Sequence, residues 1–188
     1  MANIFENKDN FKKAIGGFVI KFTELEFSLL YYCGLIDNPK NQKVSIRNHI
    51  GSKLEIRRKK ITKYISQNLP ELSTTWDRIN TKLGIINNER NFLIHGIGST
   101  GFYEDSIKAI IKQKENIQIK EFTIEDIKKL TDQIAHLLTG DNGLAGEFLT
   151  EFSTKVFDLY NSTSNGDDKI IYRVNNKILT QFKGKPSS

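Results

Sequence analysis

The chain has 188 residues, of which 38% are hydrophobic and 27% charged, and its formal net charge is +6. A chain of this size buries roughly 70% of its unfolded surface in one domain, so its stability requires neither disulfides nor a structural metal, and the single cysteine can build neither alone. The composition is that of a soluble globular protein, and no apolar run reaches the ~18 to 20 residues of a membrane span. The first ten residues lack the basic-then-apolar order of a secretory signal. A cytoplasmic location is therefore expected. The pI of about 9.3 gives a weak preference for polyanionic partners such as RNA.

Residues Asn10 to Ile36 read as one long helix. Phe11, Ile15, Phe18, Phe22, Leu25 and Leu29 recur at three- and four-residue steps, the spacing of one helical face. Asn10 is the expected N-cap. Gly16 and Gly17 permit close approach of another helix. Cys33 falls in an apolar stretch, where a small buried hydrophobe is expected. Asp37, Asn38 and Pro39 end the helix. Residues 41 to 52 fit either a short helix or an ordered loop, with His49 read as a loop histidine. From Lys53 a second helical pattern carries Leu54, Ile61, Ile65 and Leu69, and Pro70 closes it. The third helix runs from about Pro70 to about His95 with Trp76, Ile79, Leu83, Ile86, Phe92 and Leu93 on its apolar face, and Gly96 is the expected residue just past its end.

Beyond it, Ile107, Ala109 and Ile111 alternate with polar residues, as do Ile117 and Ile119, and the tract between them is turn-like. A β-hairpin near 105–122 follows. Thr123 and Asp126 open the next helix in a near capping box. That helix carries Ile127, Leu130, Ile134, Leu137 and Leu138, with His136 expected to be a partly buried core histidine. Gly140 to Gly143 interrupt it, and Leu144 to Tyr160 are helical again. Residues 161–168 have linker composition. A second hairpin near 170–182 turns at Asn175 and Asn176, and Lys183 to Ser188 should fray. The expected fold class is mainly all-α: one domain over residues 1–188, a helical core at about 10–160, and a C-terminal hairpin extension at about 169–183.

The segment Glu89 to Gly96 carries the chemistry. Asn91 and His95 are four residues apart and share a helical face. Arg90 and His95 are five apart, about 140° around a regular helix, yet a long arginine can reach the same cleft. Histidine moves protons near neutral pH. Arginine clamps phosphate and stabilises its developing charge, and asparagine can orient either group. This set suits RNA cleavage, and it requires no metal or cofactor.

The order and spacing of Arg90, Asn91 and His95 resemble the signature of the HEPN superfamily, in which an arginine and a polar residue precede a histidine by four to six positions late in a long helix. The opening helix, with Phe22 to Phe27, also looks like that of several such families. The resemblance spans roughly residues 10 to 160, and the hairpins depart from it. It implies a helical bundle and a homodimer in which two motifs form one composite site. It further implies metal-independent cleavage by 2′-hydroxyl attack, in a toxin or phage-defence effector with an antitoxin or defence-system partner protein. The alternative is a non-catalytic HEPN protein that binds RNA, a nucleotide or a protein.

Around this core, Glu24 and Glu26 are candidates to orient Arg90 or His95. Lys53, Arg57, Arg58, Lys59, Lys60 and Lys63 form the densest basic run and are candidates to track an RNA backbone. A solvated helix face explains the run equally well. The three histidines lack metal-ligand spacing. A tyrosine two positions after the histidine is modified in some HEPN toxins; here that position is Ile97, and Tyr103 is out of pattern.

Overall fold

The structure, a computed structural model, describes residues 4–96, 106–113, 116–163, 171–174 and 177–180. The elements in chain order are α1 (Ile4–Asp37), α2 (Gln42–His49), α3 (Leu54–Asn68), a 3₁₀ turn (Pro70–Leu72), α4 (Ser73–Asn91), a π turn (Phe92–Gly96), β1 (Ile107–Gln113), β2 (Asn116–Phe122), α5 (Ile124–Thr139), α6 (Glu147–Thr163), β3 (Ile171–Val174) and β4 (Lys177–Thr180). The protein is mainly helical, with two antiparallel hairpins, β1–β2 and β3–β4, as the sequence patterns require. No helix among the described residues is long and apolar enough to cross a membrane. The turn tips at 114–115 and 175–176, most of the linker and the C-terminal tail lie outside the described residues.

The chain divides into two compact units, Met1–Phe27 with Arg78–Leu138 and Ser28–Asp77 with Thr139–Ser188. In the first, the early face of α1 (Phe11, Phe18, Phe22, Leu25) is buried, and the Phe18 and Phe22 rings stack with centroids 6.0 Å apart. Ile79, Leu83 and Ile86 of α4, and Ile127, Ile134 and Leu137 of α5, are buried in the same unit. Each such large aliphatic or aromatic side chain contributes about 1.5–3 kcal/mol by leaving water. The second unit centres on aromatic rings. Tyr32 packs on Phe152 at 4.9 Å and Trp76 stacks on Phe148 at 6.1 Å. Both polar ring atoms are satisfied: the Tyr32 hydroxyl donates to the Leu144 carbonyl at 2.8 Å, and Trp76 Nε1 donates to Thr62 Oγ1 at 2.8 Å. An unpaired group there would cost about 1–3 kcal/mol.

Several boundaries differ from those the sequence suggests. α1 begins at Ile4, so Asn10 lies inside the helix and caps nothing; the buried phenylalanines start at Phe11, but the helix begins about two turns further back. Gly16 and Gly17 face open space. The close approach occurs at Gly34 instead, where a Cβ would lie 2.7 Å from Ile46 Cγ1. Residues 42–49 form a helix, and His49 is its last residue rather than part of a loop. α6 starts at Glu147, because Gly143 N and Gly146 N bond backward to Gly140 O and Gly143 O and hold Leu144 in turns. It also runs to Thr163, three residues into the expected linker. The capping box of α5 forms as the sequence implies: Asp126 N donates to Thr123 Oγ1 at 3.1 Å, and Thr123 N donates to Asp126 Oδ2 at 3.0 Å. Those bonds, the backbone one foremost, hold the Asp126 carboxyl below its ordinary value.

Candidate functional site

The α-helix that carries Arg90 ends at Asn91, and the next turn is a π turn. This changes the geometry of the signature residues. In a regular helix Arg90 and His95 would diverge, but a π turn closes i→i+5, so the fifth residue stands over the first. Arg90 Nη1 accordingly lies 3.0 Å from His95 Nε2 and donates to Asn91 Oδ1 at 3.3 Å. The guanidinium carbon sits 5.4 Å from the centroid of the Phe22 ring on α1, within cation–π range. Arginine carries donors and no acceptor, so in a hydrogen bond between them Nη1 donates and His95 Nε2 accepts. His95 is exposed while Arg90 and Asn91 are half-buried. The cluster is an arginine held on three sides, by Asn91, the Phe22 ring and the His95 imidazole.

The hairpin buttresses this turn. A Cβ on Gly96 would lie 2.8 Å from Ala109 Cβ and 3.0 Å from Ile110 N, so only glycine lets β1 pack this closely. Gly96 is thus a packing residue of the π turn, in addition to following the helix. Lys120 of β2 ion-pairs with Glu89 and lies over the rings of Phe92 and Phe122 at 5.9 and 5.4 Å. The strand register explains which isoleucines take part. Ile107 pairs with Phe122 and Ala109 with Lys120, so the face carrying them is buried. Ile117 and Ile119 fall on the opposite face, 66% and 64% exposed. Periodicity within each strand could not reveal this, because cross-strand register decides it.

Among the described residues, Arg90 meets His95, Asn91 and Phe22. Glu24 is exposed and accepts from Lys21 Nζ at 2.8 Å, and Glu26 is half-buried on α1. Phe22, read from sequence only as core, is the platform that was missed. A phenylalanine cannot be recognised as an arginine platform until the helix opposite it is known.

The basic run belongs to the other unit and is largely spoken for. Arg57 is 5% exposed, and its Nε donates to Ser52 Oγ at 3.1 Å, so it is a structural residue and not a free phosphate ligand. The signal was present in the sequence: Leu54, Arg57, Ile61 and Ile65 share the three- and four-residue spacing of the buried face. Lys60 pairs with Asp37, and Lys59 pairs with Glu55 at 2.7 Å on the exposed surface. Arg58 is half-buried, which pushes its pKa down against the opposing pull of Glu55. Lys53 and Lys63 are exposed.

His49 Nε2 lies 2.5 Å from Asp37 Oδ2, and Lys60 Nζ lies 3.3 Å from the same nitrogen. Burial alone would raise the Asp37 carboxyl, but the hydrogen bonds from Lys60 and His49 outweigh it and hold the group below its ordinary value of 3.8. Cys33 is buried, as expected, and burial pushes its thiol up to about 11. His136, expected in the core, is exposed. It lies two residues from buried Ile134, about 200° around the helix, which places it on the opposite face.

Among the described residues no group of three histidine, cysteine or carboxylate side chains is placed to hold a metal ion. Ile97 and Tyr103 lie outside the described residues. No family profile, no curated protein and no solved structure matches the chain.

Proposed function

We propose that the chain is a metal-independent endoribonuclease of the HEPN type, with Arg90, Asn91 and His95 as its reacting groups, working as a homodimer in a toxin or phage-defence setting. The observation that carries this reading is the 3.0 Å approach of Arg90 Nη1 to His95 Nε2 across a π turn, a feature that concentrates at functional sites. When a phosphate draws the guanidinium away, Nε2 is released as a proton acceptor beside the arginine-bound phosphate. The 2′-hydroxyl then loses its proton to His95 and attacks phosphorus. The 5′-oxygen leaves and takes a proton from a general acid, giving a 2′,3′-cyclic phosphate and a 5′-hydroxyl. Arg90 stabilises the charge that develops on the phosphoryl oxygens, and Asn91 keeps Arg90 aligned. Each chain has one such histidine, so a two-fold partner would supply the acid. In unit one, Ile20 and Phe27, seven residues apart on α1, are 63% and 62% exposed, an apolar stripe of the sort such a partner covers.

Labelled RNA incubated with the pure protein in EDTA should be cut to products ending in a 2′,3′-cyclic phosphate or its 3′-phosphate hydrolysis product. Activity that disappears in EDTA and returns with Mg²⁺ would overturn the reading. If the Arg90–His95 bond persists with RNA bound, the same cluster is a phosphate-binding site without turnover, and the assay then shows binding and no new ends.

A further inference from the structure

A groove of about 620 Å³ lies in the first unit between α4 and α5, lined by Lys82, Ile85, Ile86, Lys129, Asp132, Gln133 and His136. We infer that this groove holds a nucleotide flanking the cleaved one in a single-stranded RNA, with Lys82 and Lys129 on its phosphates and the Ile85 side chain under its base. The inference rests on the nuclease reading for the identity of the polymer.

Position comes first. Lys82 and Ile86 stand eight and four residues before Arg90 on the same regular helix, about 12 and 6 Å along its axis. A strand whose scissile phosphate sits at Arg90 therefore runs onto the groove within one or two nucleotides. The polar side chains are also uncommitted. Among the described residues, Lys82, Lys129, Gln133 and His136 make no side-chain hydrogen bond or ion pair, unlike Lys59, Lys60, Lys120 and Lys155, which each hold a carboxylate. Two lysines against one aspartate favour an anion. The apolar floor is open to a ligand too, since Ile85 is 54% exposed while Ile86 beneath it is 2% exposed. An apolar floor with a few convergent polar groups, at a volume within the ~300–1,000 Å³ of ligand clefts, fits a base and its phosphate. The amide of Gln133 and the ring of His136 can each hydrogen-bond a base edge.

The test uses the full chain and fluorescence anisotropy with a 2′-O-methyl RNA of about eight nucleotides, a length within known single-strand site sizes. Its blocked 2′-hydroxyls prevent cleavage, so binding is read alone. The Lys82→Gln/Lys129→Gln double variant should bind about tenfold more weakly, and its salt dependence should flatten by about 1.4 log units per log unit of salt, two contacts at ~0.7 each. A Lys13→Gln/Lys128→Gln control, which removes the same charge from exposed positions outside the groove, should bind as the wild type does. Asp132→Asn should tighten the RNA. All of these positions are exposed, and matched thermal midpoints will verify that the variants fold. Unchanged affinity of the Lys82→Gln/Lys129→Gln variant overturns the proposal and leaves the groove to an acidic protein partner. An equal loss in the control variant also overturns it, because the lysines would then act as a general field. Failure of the wild type to cut unblocked RNA would sink the nuclease reading without altering the binding result, so the two failures are distinguishable.

Discussion

Two histidines in this chain follow an Arg-Asn pair near the end of a helix, and they are put to different use. His49 follows Arg47 and Asn48 at the end of α2, and its ring is tied to Asp37 from α1 with Lys60 from α3 closing the cluster. Its side chain is 15% exposed. His95 follows Arg90 and Asn91 across the π turn, is exposed, and among the described residues has Arg90 for its hydrogen-bond partner. A histidine between a carboxylate and a lysine is committed to joining the ends of α1 and α2 to the middle of α3. A histidine set against a guanidinium offers a nitrogen that an incoming phosphate can uncover by drawing the arginine away. The partner's charge, more than the local sequence, separates a structural histidine from a reactive one.

The largest expected contrast is between His95→Ala and His49→Ala. The first should lower RNA cleavage by about 10²–10⁴-fold with unchanged helical content. The second should keep cleavage and cost about 1 kcal/mol of stability in urea unfolding. Arg90→Lys should not rescue the site, because lysine lacks the planar fork that spans Asn91, His95 and a phosphate. If His49→Ala proves the inactive variant, the comparison is inverted and the assignment fails.

The next contrast tests the hairpin. Gly96→Ala forces a Cβ onto Ala109 and Ile110 and should cost about 1–3 kcal/mol, with cleavage falling as the π turn shifts. Adding Ala109→Gly should recover part of both. Equal stability and activity in Gly96→Ala would show that β1 does not position His95.

The smallest effect concerns acid. The Asp37 carboxyl is depressed in the folded state, so the stability it contributes is present above its ordinary value and is lost as pH falls through the depressed one. Unfolding midpoints of the wild type should therefore drop more steeply below pH ~4 than those of Asp37→Asn. With the carboxylate 31% exposed, solvent screening limits the difference to about 1 kcal/mol. Parallel pH curves would remove Asp37 as the holder of the His49 cluster.

What the sequence determined by itself was whatever depends on neighbours in the chain. The face of α1 from Phe11 to Leu29, the Thr123–Asp126 capping box, both hairpins and the candidate set Arg90, Asn91 and His95 are local patterns, and local patterns act over one or two turns. What tertiary structure decided were matters of register and contact. Ile117 and Ile119 face outward because β2 pairs with β1 in one register. Arg90 reaches His95 because the last turn widens to a π turn, with Gly96 packed on Ala109 and Phe22 set beneath the guanidinium. Phe22 and Arg90 lie 68 residues apart and Gly96 and Ala109 thirteen, and nothing in the spacing of one segment encodes which atoms of another will meet it.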